Sequence, residues 1–206
     1  VRDVSALMAQ TDNNRMLSSQ VYDTILSGNI AVIPNFLPAQ EILALREDAA
    51  ALHTSNHFST DALASYGSSG TFDQAKDRAV LKLDQWKNPE LGHWQTRTAL
   101  ANRMAALRTD LAYNLNRPHL DQGGAVHKYG AGSTEITYTR FGPGAFLKRH
   151  VDEHHEEIKG LAGWSQPTRR SVSWLVYLND PKDWNPSKDG GQLRCFARKE
   201  NTGVYS

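Results

Sequence analysis

Cysteine is almost absent from this 206-residue chain: Cys195 stands alone. One thiol cannot close an internal disulfide, and a cysteine-built zinc centre is excluded. A reducing compartment, the cytoplasm or an organelle interior after removal of a presequence, fits that composition. Long apolar runs are missing too. None approaches the roughly 18 residues of a membrane span, and the opening stretch VRDVSALMAQ lacks the apolar core of a secretory signal. Neither sign of charge dominates: 23 Lys and Arg stand against 22 Asp and Glu. The balance gives no electrostatic signal for nucleic acid or an acidic membrane surface. There are no repeats and no low-complexity tract. The first residue is Val rather than Met, which points to a processed protein or a fragment.

What remains suits one packed domain over residues 1–206, with 39% hydrophobic and 22% charged residues. Residues 14–27 read as a helix, with Leu17, Val21 and Ile25 on one face and Gly28 as its stop. Residues 30–33 (IAVI) read as a short buried strand ended by Pro34. Pro38 then sits where a first helical turn accepts it, opening a second helix, AQEILALREDAAAL. The mixed-charge clusters at 46–48 and 198–200 read as solvated surface. The Ser-, Thr- and Gly-rich stretch 53–73 reads as a long loop, a common place for functional motion. A strand is expected at 79–84, and a third helix over about 95–115 carries the stripe Leu100, Met104, Leu107, Leu111 and Leu115. Segments 134–141, 145–149, 171–178 and 191–196 alternate at period two between Gly/Pro turns, the pattern of antiparallel strands in a sandwich or barrel. Helices first and strands after predict an α+β fold, with helical support over 1–118 and barrel strands over about 134–206.

The chemistry concentrates in the second half. In His150-Val-Asp152 the two side chains stand two residues apart, so in a strand they share a face. An imidazole and a carboxylate so placed can grip one side of a metal, and one more ligand completes the 2-His-1-carboxylate face of non-haem Fe(II) oxygenases. A lone His-x-Asp also arises by chance at a polar turn, and the adjoining EHHEE, with His154 and His155, reads as solvated. The residues downstream give the pair its weight: Arg170, Ser173, Tyr177-Leu178-Asn179, Trp184, then Gly190-Gly191-Gln-Leu193-Arg194, in that order. Tyr177 shares a strand face with Ser171 and Ser173, opposite Trp174 and Val176. Hydroxyls facing a barrel interior need partners, since an unmet buried polar group costs about 1–3 kcal/mol. A bound dicarboxylate would serve, and so would a water or a backbone carbonyl. Arg170 suits either a substrate carboxylate or the surface beside Arg169. Gly190-Gly191 makes the turn into the next strand on any reading, and Trp184 is expected in the core.

This ordered set resembles the 2-oxoglutarate- and Fe(II)-dependent dioxygenase superfamily, and within it the prolyl 4-hydroxylases, above all the oxygen-sensing ones. The likeness covers residues 134–196, with a looser extension to IAVIPNFLPAQEILALREDAAAL. It implies a double-stranded β-helix (a jelly roll) flanked by N-terminal helices. It implies Fe(II) held by His150 and Asp152, and 2-oxoglutarate met by Tyr177 and Ser173. By the same likeness the reaction is hydroxylation of a prolyl residue in a peptide or protein, with Arg170 near the substrate. The chain departs from the family in three ways. Phe141 and Leu147 stand where many relatives carry tyrosine, which makes Tyr138, one turn earlier, the expected substitute in cosubstrate binding. Ser173 replaces the family's Thr. The second metal His and the basic partner of the far carboxylate come after the Gly-Gly-x-Leu-Arg strand in the family, some twenty residues beyond Ser206 by that likeness, and no histidine stands after Leu193 here. The expectation is therefore a domain lacking its C-terminal strands and its third ligand, because the chain continues past Ser206. The alternative is a catalytically inactive scaffold, or a subunit of a larger assembly, on the same fold.

Overall fold

Two long helices carry the N-terminal half, and each is placed by its apolar stripe. The computed structural model describes residues 15–59, 77–117, 120, 134–147, 159–160, 163–164 and 172–196. Helix α1, Ser19–Leu26, buries Tyr22 and stops before Gly28, whose φ of +76° suits glycine. Helix α2, Ala39–Thr54, begins after Pro38 as expected and buries Leu45, Asp48 and Leu52. Strand β1, Phe58–Ser59, pairs antiparallel with β2, Arg78–Leu81. A single helical turn, α3 (Leu83–Trp86), leads to α4, Trp94–Asn114, where Leu100, Met104, Leu107 and Leu111 are buried. Strand β3, Thr139–Phe141, closes a three-stranded antiparallel sheet in the order β1-β2-β3. Strands β4 (Lys159–Gly160) and β5 (Gly163–Trp164) form a separate antiparallel pair, and α5 is the short turn Pro186–Asp189. Among the described residues no helix is long and apolar enough to cross a membrane.

Several expectations change. Residues 30–33 are not a buried strand: Ile30 and Val32 are exposed, and the segment has no ladder among the described residues. An apolar run there serves as a connector whose Ile33 alone packs toward the core. The loop expected over 53–73 is helical through Thr54 and contributes β1; residues 60–73 lie outside the described residues. The strand expected at 79–84 is displaced to Arg78–Leu81, and Leu83 starts a helical turn. Ala79, Val80 and Leu81 are all buried because β2 is the central strand with both faces covered, which hides the period-two alternation. The charge cluster at 46–48 is only partly solvated surface: Glu47 is exposed, Arg46 is half-buried and Asp48 is fully buried. The described residues form an α+β arrangement of helices with a small antiparallel sheet, without the closed set of ladders a jelly roll has. Residues 145–147 and 191–196 carry no ladder among the described residues, and 191–196 are exposed.

The core joins α1, α2, α4 and the sheet through Leu17, Tyr22, Leu45, Leu52, Leu81 and Leu107. Val172, Trp174, Val176 and Leu178 pack against the same cluster, so the segment that carries the family-like motif rests on the helical half. Two polar knots lock the elements. Asp110 of α4 accepts from the Tyr22 hydroxyl, from Met16 N at 3.2 Å and from Asn114 Nδ2 at 3.1 Å. Burial, then the bond to Asp110, pushes the Tyr22 phenol up to about 12. The second knot joins Asp48 of α2 to Arg97 of α4 inside the core.

Gly92, with φ +49°, passes directly over this second knot. A methyl group there meets Asp48 Oδ1, lies 3.0 Å from Arg97 Nη1 and 3.1 Å from Leu52 Cγ. Gly92→Ala is thus expected to destabilise by about 1–3 kcal/mol through overpacking, with strain from the left-handed backbone added. The urea midpoint measures it. An unchanged midpoint would mean that the 91–93 turn moves aside freely.

Candidate cosubstrate face and the approach to His150

Two described segments carry residues expected at the site or lead toward them. The first is the arm that ends in β3. Ile136 and Tyr138 are buried while Glu135 and Thr137 are exposed, the alternation expected for 134–141. Leu81 N donates to Tyr138 O at 3.0 Å, and the Thr137 hydroxyl donates to Leu81 O. The Tyr138 ring meets Trp86 edge-on at 4.8 Å between centroids. After β3 a turn forms at 142–145, with Ala145 N donating to Gly142 O at 3.0 Å and Gly144 at φ +79°. Leu147 ends this described stretch three residues before His150.

The second segment is 172–180. Val172, Trp174, Val176 and Leu178 turn inward, and Ser173, Leu175, Tyr177 and Asn179 turn outward. This is the period-two burial of a strand. It puts Ser173 and Tyr177 on one face, opposite Trp174 and Val176, as the sequence pattern requires. The Tyr177 side chain is half exposed. Arg46 of α2 fastens the far end of this segment. Its Nε donates to Leu178 O at 2.8 Å, one Nη to Asn179 O at 3.4 Å and the other to Asp180 Oδ2 at 2.7 Å. Asp180 then starts a turn: its carboxylate accepts from Lys182 N at 3.0 Å and its carbonyl from Trp184 N at 2.9 Å. The Lys182 amide, and then the charge of Arg46, hold the Asp180 carboxyl below its ordinary range. Asn185 caps α5, and Gly190 and Gly191, at φ +69° and +80°, make the expected glycine turn. Trp184 is half-buried, with its ring 3.9 Å from where a Gly191 Cβ would stand.

Of the residues expected at the site, Ser173 and Tyr177 stand on the same side of their segment, but both are exposed rather than facing an enclosed barrel interior. Tyr138 is turned the other way, into the core, where its hydroxyl donates to Asp48 Oδ2 at 2.9 Å. Burial, then the Asp48 carboxylate, pushes that phenol above its usual range, so it stays a donor. The structure thus gives Tyr138 a partner that the sequence pattern does not announce. His150, Asp152 and Arg170, with His127, His154, His155 and Ser171, lie outside the described residues. Among the described residues no group of three or more His, Cys, Asp or Glu side chains is placed to hold a metal.

Residues 136–205 match the family model described as the 2OG-Fe(II) oxygenase superfamily. The match spans about a third of the chain and includes Tyr138, His150, Asp152, Arg170, Ser173 and Tyr177. It supports the 2OG-Fe(II) oxygenase superfamily for this part of the chain, and that family implies Fe(II) and 2-oxoglutarate as cofactors. No curated protein and no solved structure matches the chain. The donor chemistry fits the metal, because one imidazole and one carboxylate two residues apart are the nitrogen and oxygen ligands that non-haem Fe(II) takes. The outward Ser173 and Tyr177 fit the cosubstrate, because hydroxyl donors suit a carboxylate.

Sequence reasoning missed Arg46, Asp48 and Arg97. A signal for two of them was present. Leu45, Asp48 and Leu52 fall three and four apart, and Arg97 stands three residues before Leu100 on the stripe of α4. One acid and one base, each on the apolar face of its helix, call for each other. Arg46 left no such trace, since its partners are backbone carbonyls and a carboxylate more than 130 residues away.

Proposed function

We propose that this chain is an Fe(II)- and 2-oxoglutarate-dependent oxygenase that hydroxylates a prolyl residue of a peptide or protein, on a jelly-roll fold. The observation that carries the oxygenase reading is the family match across 136–205, a range that contains the His150-x-Asp152 … Ser173 … Tyr177-Leu-Asn set; the prolyl substrate rests on the sequence resemblance alone. His150 and Asp152 hold the metal, and a further ligand completes the set; His127 and His154 are the histidines of this sequence to test for it. The metal and cosubstrate together supply oxidative decarboxylation of 2-oxoglutarate to succinate, coupled to insertion of oxygen into a C–H bond.

The chain's own residues bind, orient and shield. The Tyr177 and Ser173 hydroxyls donate to a carboxylate of 2-oxoglutarate. Arg170 forks a carboxylate of the substrate. Tyr138, already donating to Asp48, offers a ligand only its oxygen lone pairs and chiefly fixes the arm that leads to His150. Trp174, Val176 and Leu178 back the 172–180 segment from the core side.

The test is 2-oxoglutarate turnover with Fe(II), oxygen and proline-containing peptides, read as succinate and as an added oxygen on proline by mass spectrometry. Succinate coupled to oxidation of another residue or of a small molecule would keep the oxygenase and overturn the prolyl assignment. Neither product, from protein shown to bind Fe(II), would favour the scaffold reading.

A further inference from the structure

We propose that Arg46 is a positioning residue for the cosubstrate face: it sets the register of the 172–180 segment so that Ser173 and Tyr177 point outward together. The inference rests on the oxygenase reading above. A guanidinium presents five donors in one rigid plane. Here that plane reaches acceptors on three successive residues, Leu178 O, Asn179 O and Asp180 Oδ2, at 2.8, 3.4 and 2.7 Å. Such a grip holds main chain, not merely a partner charge.

Register is what that grip controls. Side chains in an extended segment alternate faces, so a slip of one residue would turn Tyr177 into the core and expose Val176. Residues 172–178 carry no strand ladder among the described residues, so backbone pairing there does not set the register as it does in β2 and β3. Apolar packing of Trp174, Val176 and Leu178 favours one phase. Arg46, anchored on α2, fixes it at the residue next to Tyr177. Asp180 extends the hold into the next turn through Lys182 N and Trp184 N. The ion pair itself is partly exposed, with side chains 30% and 36% accessible. Pairs of that kind add little to global stability, so a positioning effect can be read apart from unfolding.

The experiment compares wild type with Arg46→Ala, Arg46→Lys and Arg103→Ala. Arg103 pairs with Glu41 of α2 at 2.6 Å, with similar exposure, in a contact that does not involve 172–180. Two readouts are taken: calorimetric titration of 2-oxoglutarate into the anaerobic Fe(II)-loaded protein, and hydrogen exchange of the 172–180 amides with no ligand added. Arg46→Ala is expected to weaken 2-oxoglutarate about tenfold, in the range of changes that disturb supporting shells, and to speed exchange across 172–180 at nearly unchanged Tm. Arg46→Lys, a point charge that can meet Asp180 but not both carbonyls, is expected to recover part of each effect. Arg103→Ala should match wild type in both. Wild-type affinity and wild-type exchange in Arg46→Ala would overturn the inference, and so would equal losses in Arg103→Ala. Wild-type protein that takes up no 2-oxoglutarate would overturn the oxygenase reading and the positioning role with it; faster exchange in Arg46→Ala would then mark Arg46 as structural only.

Discussion

Alanine at His150 or at Asp152 is expected to abolish succinate release, a loss exceeding the roughly 10–100-fold that changes outside a metal's own ligands produce. Iron(II) lies low in the affinity order of divalent metals, so a protein holds it by geometry and ligand count rather than by strength of binding. Taking one ligand from a three-ligand face leaves two, too few to retain the ion against exchange or to keep a chelating cosubstrate in one orientation. The measurement is succinate formed under saturating Fe(II) and 2-oxoglutarate, with iron content and Tm taken on the same samples. His155→Ala is the control, because the run EHHEE reads as solvated and its removal should change none of the three. An equal loss on His127→Ala or His154→Ala would identify a third ligand within this sequence. Full turnover in either His150→Ala or Asp152→Ala would sink the assignment of the pair.

The longer helices α1, α2 and α4 were legible because each shows its apolar stripe at helical spacing, whereas the single turns α3 and α5 were not. Pro38 and the Leu100–Leu111 run marked α2 and α4 to within a residue or two. The strands were less legible, and the reasons differ. In β2 burial on both faces removed the alternation, so the sequence pattern slid by a residue or more and ran into α3. In 30–33 a run of Ile and Val looked like a strand, yet propensity without a neighbouring ladder places nothing, and Val32 stays exposed. Segment 172–178 kept its alternation, and that alone ordered Ser173 and Tyr177 correctly relative to Trp174 and Val176. The metal pair is a reading of spacing and context; His150 and Asp152 fall within the matched 136–205 but outside the described residues. Arg46 and the partner of Tyr138 needed the tertiary fold, since both join residues about 90 or more apart in sequence.

Arg97→Met is expected to cost about 3–5 kcal/mol, the usual loss when one member of a buried ion pair is removed. For a chain of this size that lowers Tm by roughly 6–20 °C. Both partners are fully buried, and each has its remaining hydrogen-bonding capacity met. Arg97 Nη1 donates to the two Asp48 oxygens at 2.9 and 3.1 Å, Nε to Trp86 O at 3.0 Å, and Nη2 to Asn88 O and Leu91 O at 3.0 and 2.5 Å. Asp48 accepts in addition from His93 N and from the Tyr138 hydroxyl. Methionine keeps the volume of the arginine stem but strands a carboxylate in the core and takes a donor from the carbonyls of Trp86, Asn88 and Leu91. Asp48→Leu alone should be damaging for the converse reason. The double variant Asp48→Leu/Arg97→Met should lose clearly less than the sum, because neither charge is then stranded. The network joins α2, α4 and the residue before β3, so its loss should also loosen the arm toward His150. Succinate release measured well below Tm should fall in Arg97→Met. Thermal unfolding of the four proteins in the cycle decides the energetic claim. A loss below about 1 kcal/mol in Arg97→Met, the scale of an exposed pair, would mean that the core relaxes around the stranded carboxylate and that apolar packing alone joins these elements.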